Sequence, residues 1–205
     1  MQVKLEDIGK KYDRHFVFRG VSVDLFPDTR VAILGGNGSG KSTLLKVISG
    51  SLTATTGKLS IIDDSGASIP VMDYMRKVAF TGPYTEVIEE FNLREIVDFQ
   101  SKFRPWRNNL SNEDVVELTG LKKVSERSIA NFSSGMRQRV RLALAILADT
   151  PILLLDEPTS NLDAKAMKWF HELLEQHIEN RILCVGSNHQ SAEIALCTSE
   201  INLTK

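Results

Sequence analysis

The sequence predicts an α/β fold with a mixed, largely parallel core sheet, an N-terminal antiparallel β subdomain and a small helical lobe. Three observations predict it. An apolar run, Val31-Ala32-Ile33-Leu34, leads into a glycine-rich turn and then into an apolar helix pattern, Leu44-Leu45-Lys46-Val47-Ile48. Beyond residue 134, helix-period and strand-type segments alternate, which is the rhythm of βαβ units. Before residue 30, short strand patterns are separated by turn residues.

Those short strands, with Lys58-Leu59-Ser60-Ile61-Ile62 running into the Asp63-Asp64-Ser65-Gly66 turn, read as an antiparallel flap. At Asn92 the period becomes helical. Asn92 with Glu95 makes a capping-box pattern, Leu93, Ile96, Val97 and Phe99 supply an apolar stripe, and Pro105 is expected to stop the helix. Ser111 with Asp114 opens a second helix through Val115, Val116 and Leu118, ended by Gly120. These helices form the expected lobe, about residues 84–130, inserted in one domain spanning 1–205. A helix over 139–148, a buried strand over 152–155, a helix over 164–179 and a strand over 182–185 complete the chain. There is no internal repeat or low-complexity tract.

At 205 residues and 42% hydrophobic content, the chain can bury a full core without covalent staples. Its two cysteines, Cys184 and Cys197, have no C-x-x-C spacing, which points to a reducing cytosol and away from zinc. The start Met1-Gln2-Val3-Lys4-Leu5 lacks a signal-peptide core, and the apolar stretch 142–148 is far shorter than the ~20 residues of a membrane span. A membrane link must run through a partner. The net charge of −1, with charges scattered, offers no basic stripe, so nucleic acid is not expected as a partner.

The chemistry is carried by short motifs. Gly35-Gly36-Asn37-Gly38-Ser39-Gly40-Lys41-Ser42-Thr43 fits the P-loop pattern G-x-x-x-x-G-K-[ST]. Its glycines let backbone N–H groups turn inward around phosphate, and the helix that follows adds its positive end. Lys41 is placed to reach the β- and γ-phosphates of a nucleotide, and Ser42 to ligate Mg²⁺. The strand ending in Asp156-Glu157 brings two acids to a strand's carboxyl end, where α/β sheets bind ligands. Asp156 suits the Mg²⁺ shell and Glu157 a general base acting on water. The segment Asn131-Phe132-Ser133-Ser134-Gly135-Met136 opens a helix, with Ser133 or Ser134 as cap, and forms a second anion-seeking helix start.

In this order, followed by Ser160-Asn161-Leu162-Asp163 and Ser187-Asn188-His189, the motifs resemble those of the ATP-binding subunit of ABC transporters over nearly the whole chain. The resemblance implies a P-loop NTPase fold of the ABC ATPase type. It makes Gly35 to Ser42 the Walker A loop, Phe132 to Met136 the signature motif, and Asp156 and Glu157 the Walker B acid and catalytic base. Ser160 to Asp163 then corresponds to the D-loop, His189 to the switch histidine at the γ-phosphate, and Tyr12 to the aromatic that stacks on adenine. It further implies a head-to-tail dimer that sandwiches ATP between the Walker A loop of one copy and the signature of the other. A separate membrane-spanning partner would hold the subunit at the inner face of the cell membrane.

Departures from the family pattern bear on the rate. The signature reads Phe-Ser-Ser-Gly-Met, so Met136 brings no amide. Pro83 stands where the family's Q-loop glutamine is expected, with Glu86 as a polar substitute, while Gly36 and Gln190 replace a common proline and a frequent acid. A slow ATPase is expected. Only about 16 residues follow His189, so no C-terminal regulatory domain is expected, domains rarely falling below about 50 residues. That length resembles small exporters, including the haem-exporter type. Two other readings stay open at this point: a soluble ABC-type ATPase on a ribosome or DNA, and a degenerate cassette that switches on ATP binding without turnover.

Overall fold

The computed structural model describes residues 1–203 of the chain. They divide into two compact units. The first comprises Met1–Phe80, Thr150–Glu157 and the residues from Asn180 onward; the second comprises Thr81–Asp149 and Pro158–Glu179.

The first unit begins with β1 (Gln2–Tyr12) and β2 (His15–Leu25), an antiparallel hairpin closed by the Tyr12–His15 pair. These are two strands of 11 residues each where the sequence predicts several short ones. The reason is bulging. Register shifts between Leu5 and Ile8, Ile8 and Lys10, and Lys10 and Lys11 break the alternation of inward and outward residues, so each long strand reads as fragments. With β4 (Thr56–Ile62) the hairpin makes a three-stranded sheet in the order β2-β1-β4, the expected antiparallel subdomain.

A five-stranded sheet is built from β3 (Arg30–Leu34), β5 (Val78–Thr81), β6 (Ile152–Asp156), β7 (Ile182–Ser187) and β8 (Ser199–Asn202), in the order β5-β6-β7-β3-β8. β3 pairs in parallel with β7 and β8, and β6 pairs in parallel with β7. Strands covered on both faces need continuous apolar runs, and β6 and β7 are buried at every position. α1 (Lys41–Ile48) buries Leu44, Leu45, Val47 and Ile48 in the same core as Val31, Ile33, Leu154 and Cys184. α2 (Val71–Met75) contributes the fully buried Tyr74, whose hydroxyl donates to the Ile48 carbonyl at 2.6 Å. α7 (Ser191–Ile194) follows β7.

The second unit is helical: α3 (Leu93–Ser101), α4 (Asn112–Leu118), α5 (Ser134–Leu147) and α6 (Ala164–His177), linked in part by 3₁₀ turns. The predicted capping box at Asn92 forms, and the helix start expected at Ser111 carries one too. The Asn92 side chain accepts from the Glu95 N–H at 3.0 Å while Glu95 accepts from the Asn92 N–H at 2.8 Å, and Ser111 and Asp114 repeat the exchange. Gly120, at φ +68°, closes α4 in the left-handed conformation that a helix end favours.

Three boundaries differ from the sequence reading. α3 ends at Ser101, ahead of Pro105, whose carbonyl instead accepts the Asp149 N–H. α5 starts at Ser134, where the Ser133 cap places it and ahead of the apolar pattern that begins at Arg139, and α6 stops at His177. Phe99 is 40% exposed and not part of the buried stripe; it sits edge-on to Phe91 and Phe103.

Candidate functional site

The parallel register of the first unit brings three motif-bearing strand ends side by side. Leu34 pairs with Ser187 and Asp156 with Gly186, so β3, β7 and β6 finish level with one another. The P-loop leaves β3, the two acids close β6, and His189 follows β7. This is the carboxyl edge of a parallel sheet, where strand ends and helix starts leave polar groups for a ligand.

The loop folds as its glycines require. Gly40 adopts φ +101°, and a Cβ there would fall 2.6 Å from Val17 Cγ1, so both conformation and space demand glycine. At Gly36 an added Cβ meets nothing within 4 Å, which explains why that position carries glycine as readily as another residue. Lys41 is buried and donates to the carbonyls of Gly35 at 2.9 Å and Gly36 at 3.2 Å, with Glu157 Oε1 3.7 Å away. Glu157 holds φ +44°, and its N–H donates to the Gly186 carbonyl at 2.8 Å. A non-glycine residue in that region stores about 1–3 kcal/mol of strain, the kind of expense found at sites where a side chain must be aimed.

Asp156 is buried, and burial pushes its carboxyl above the ordinary range. A hydrogen bond from Ser42 and the charges of Lys41 and Lys46 pull it back down, while Glu157 adds to the rise. Its Oδ1 is buried without a hydrogen-bond partner. A hydroxyl and a carboxylate with a buried, unsatisfied oxygen form a hard, all-oxygen donor set that fits Mg²⁺. Gly186 makes room for it: a Cβ there would lie 2.7 Å from Asp156 Oδ1. Gly186 is a requirement the sequence reading missed, although an isolated glycine inside a buried strand signals such a close approach.

Tyr12 lies at the hairpin end, half exposed, with the Lys10 ammonium 5.3 Å from its ring centre. His189 is exposed, at φ +58°.

A second cluster lies in the helical unit. Of the two serines considered as cap, Ser133 fills the role, its Oγ accepting from the Met136 N–H at 3.2 Å, and Ser134 is the first helical residue. Gly135 packs so closely on the Ser160–Asp163 segment that a Cβ would sit 2.9 Å from the Asn161 carbonyl. The Asp163 carboxylate caps α6 through the Ala166 N–H at 2.7 Å. Gln138, buried on α5, donates to the Pro158 carbonyl at 2.8 Å and ties the two segments together. Sequence reasoning missed Gln138; a polar residue on an otherwise apolar helix face was its signal. Pro83 is exposed in the turn Gly82–Thr85, whose Pro83 and Thr85 carbonyls accept from Arg141, and Glu86 is exposed beside it.

A family model described as ABC transporter matches residues 18–160. The chain belongs to the ABC transporter family. The matched span takes in the P-loop, the Ser133–Gly135 helix start and the Asp156-Glu157 pair, while Tyr12 and His189 lie outside it. The sulfate/thiosulfate import ATP-binding protein CysA 1 of Agrobacterium fabrum is 32% identical over 209 residues, covering 95% of this chain and 59% of that protein. The chain thus spans about three-fifths of the length of this curated ABC relative. Among solved structures, an ATP-binding subunit of an ABC transporter superposes with a TM-score of 0.81 at 25% identity, covering 99% of this chain and 86% of the other. A bacterial ABC transporter cassette solved as a dimer gives 0.78 at 24% identity, covering 98% and 94%.

Proposed function

We propose that this chain is the ATP-binding and ATP-hydrolysing subunit of an ABC transporter, driving a separate membrane-spanning partner from the cytoplasmic face. The observation that carries the proposal is the meeting of Lys41, Ser42, Asp156 and Glu157 at the level ends of β3 and β6. Lys41 neutralises β- and γ-phosphate charge, and the loop N–H groups with the start of α1 hold the phosphate oxygens. Ser42 and Asp156 would hold Mg²⁺, which would supply neutralisation of phosphate charge. Glu157 orients the attacking water and accepts its proton. His189 is assigned to the γ-phosphate and Tyr12 to the adenine face by the family resemblance, which the exposure of both residues and their place on the same unit as the P-loop support.

The start of α5 serves a nucleotide held by a second copy. Its cap and close-packed glycine are surplus in a chain that already has a phosphate-binding helix start, and a head-to-tail dimer puts both starts to use. In that dimer Ser133, Ser134 and Gly135 face the partner copy's ATP, with Asp163 alongside. The resemblance of the helical lobe makes it the docking region for the membrane partner. No helix among the described residues is long and apolar enough to cross a membrane, which leaves the crossing to that partner. The sulfate/thiosulfate import relative supports a transport role, and the choice of cargo lies with the membrane subunit. Met136 and Pro83 support slow turnover.

The test is a mild-detergent pull-down of the tagged chain from its source cells, with ATPase assay of the recovered complex. A stoichiometric polytopic membrane protein and ATP hydrolysis that Glu157→Gln abolishes are the expected result. Ribosomal or DNA-associated partners alone would overturn the transport role, and a Glu157→Gln variant as active as the parent would overturn the catalytic assignment.

A further inference from the structure

Ser187 and Glu193 are buried, at 0% and 3% exposure, and neither has a part in the chemistry above. Ser187 closes β7, and its hydroxyl donates to Glu193 Oε2 at 2.5 Å. Ser187 Oγ in turn accepts the Gln190 N–H at 3.1 Å, and the Glu193 N–H donates to the Gln190 carbonyl at 2.9 Å. A closed set of hydrogen bonds therefore ties the strand end to the first turn of α7. It encloses a single stretch, Asn188-His189, which is exposed.

Within that stretch His189 stands at φ +58°, a region that a non-glycine residue occupies only where its surroundings hold it there. The hydrogen-bonded set supplies that hold. A carboxylate is almost never buried unless it is partnered, and burying one here serves a purpose that an apolar pair of the same size does not: its directional bond fixes the path of the backbone. Ser187 also pairs with Leu34, the last residue before the P-loop, so the clasp is anchored on the strand edge from which that loop springs.

We infer that Ser187 and Glu193 form a clasp that positions His189 toward the nucleotide; this rests on the ATPase reading. Neither residue touches the nucleotide. Both act through the histidine, by keeping its backbone in the left-handed conformation that sets where the imidazole points.

The test follows the ring signals of the four histidines by NMR in the full chain, with His189→Asn identifying the relevant one. Ser187→Ala and Glu193→Ala should shift or broaden the His189 signals while those of His15, His171 and His177 stay in place and report an intact fold. Ser187→Thr, which keeps the hydroxyl, should restore the parent spectrum. His189 signals unmoved in both alanine variants would overturn the clasp. In turnover, each alanine variant should lower kcat by about tenfold with nucleotide KM within about twofold, because misdirection of a phosphate contact acts on the transition state. Added to His189→Ala, the same substitutions should bring no further loss, and a full additional loss in that background would overturn action through the histidine. Should the parent chain fail to bind ATP, the proposed function fails, and the histidine signals still decide the clasp.

Discussion

Lys41 Nζ lies 3.7 Å from Glu157 Oε1, at the outer limit of an ion pair, while it donates to the Gly35 carbonyl at 2.9 Å. The pair is loose enough for the ammonium to exchange its loop carbonyls for phosphate oxygens, and close enough that the two side chains bracket one reaction volume. They should separate cleanly by mutation. Lys41→Ala should weaken ATP binding by about 10–100-fold, the loss of a charge-assisted hydrogen bond of roughly 1.5–3 kcal/mol. Glu157→Gln should bind ATP as well as the parent and lose about 10²–10⁴-fold in turnover, the range of a general base. Titration with a fluorescent ATP analogue beside a phosphate-release assay checks both, and equal loss of binding in the two variants would refute the division of labour.

Gly186→Ala should act at the metal. The new Cβ would lie 2.7 Å from Asp156 Oδ1, 3.0 Å from Leu45 Cδ1 and 3.5 Å from Lys41 Cβ, so the carboxylate must move or the core must yield. Overpacking of this kind costs about 1–3 kcal/mol of stability. The displaced Asp156 should also raise the Mg²⁺ concentration for half-maximal turnover by about tenfold, a second-sphere effect of the size seen when ligand orientation is lost. A Mg²⁺ titration of ATPase rate and a denaturant melt check the two effects, and an unchanged Mg²⁺ dependence would count against Asp156 as the metal-holding residue.

The parts of the site that lay in consecutive residues were legible before any fold was known. The P-loop writes its phosphate grip in nine neighbouring residues, and the all-apolar β6 ends on its own acids, so periodicity and chemistry coincide. What escaped depends on pairing across space. The register that sets Gly186 beside Asp156, the bond from Gln138 to Pro158 and the closure of Ser187 on Glu193 leave only a polar or small residue in an apolar setting as a trace. The long hairpin was hidden for another reason: bulges at Leu5–Ile8 and Lys10–Lys11 scramble the alternation that identifies a strand. The start of α5 was legible from its cap alone: the apolar period begins only near Arg139, while Ser133 places the first helical residue at Ser134.

Pro83→Gln tests the slow-turnover expectation. Proline offers no side-chain amide and no N–H, and here Pro83 itself is exposed between the buried Gly82 and the half-buried Thr85, so a glutamine side chain can extend into solvent. The Arg141 bonds to the Pro83 and Thr85 carbonyls use the backbone and survive the change. Turnover of the complex with its membrane partner should rise by about fivefold or more, within the range that one well-placed polar contact supplies. No rise in either isolated or partner-coupled rate would remove Pro83 as the cause of slow hydrolysis.

The helical unit should show its own acid sensitivity, centred on Glu113. Hydrogen bonds from Arg94 and Lys122 hold the Glu113 carboxyl well below its ordinary 4.5, at about 2. Arg94 also pairs with Glu126, and Lys122 with Glu117, so one exposed network joins α3, α4 and the turn after it. Because the folded value is the lower one, protons bind the unfolded chain more readily, and the stabilisation is whole above about pH 4.5 and drains away as pH falls toward about 2. Glu113 is solvent-exposed, so salt should screen the effect. Denaturant midpoints of the full chain measured across that window should fall less steeply in Glu113→Gln than in the parent, and the difference should shrink at high ionic strength. Identical acid limbs at low salt would show that the network contributes nothing to the pH dependence of folding.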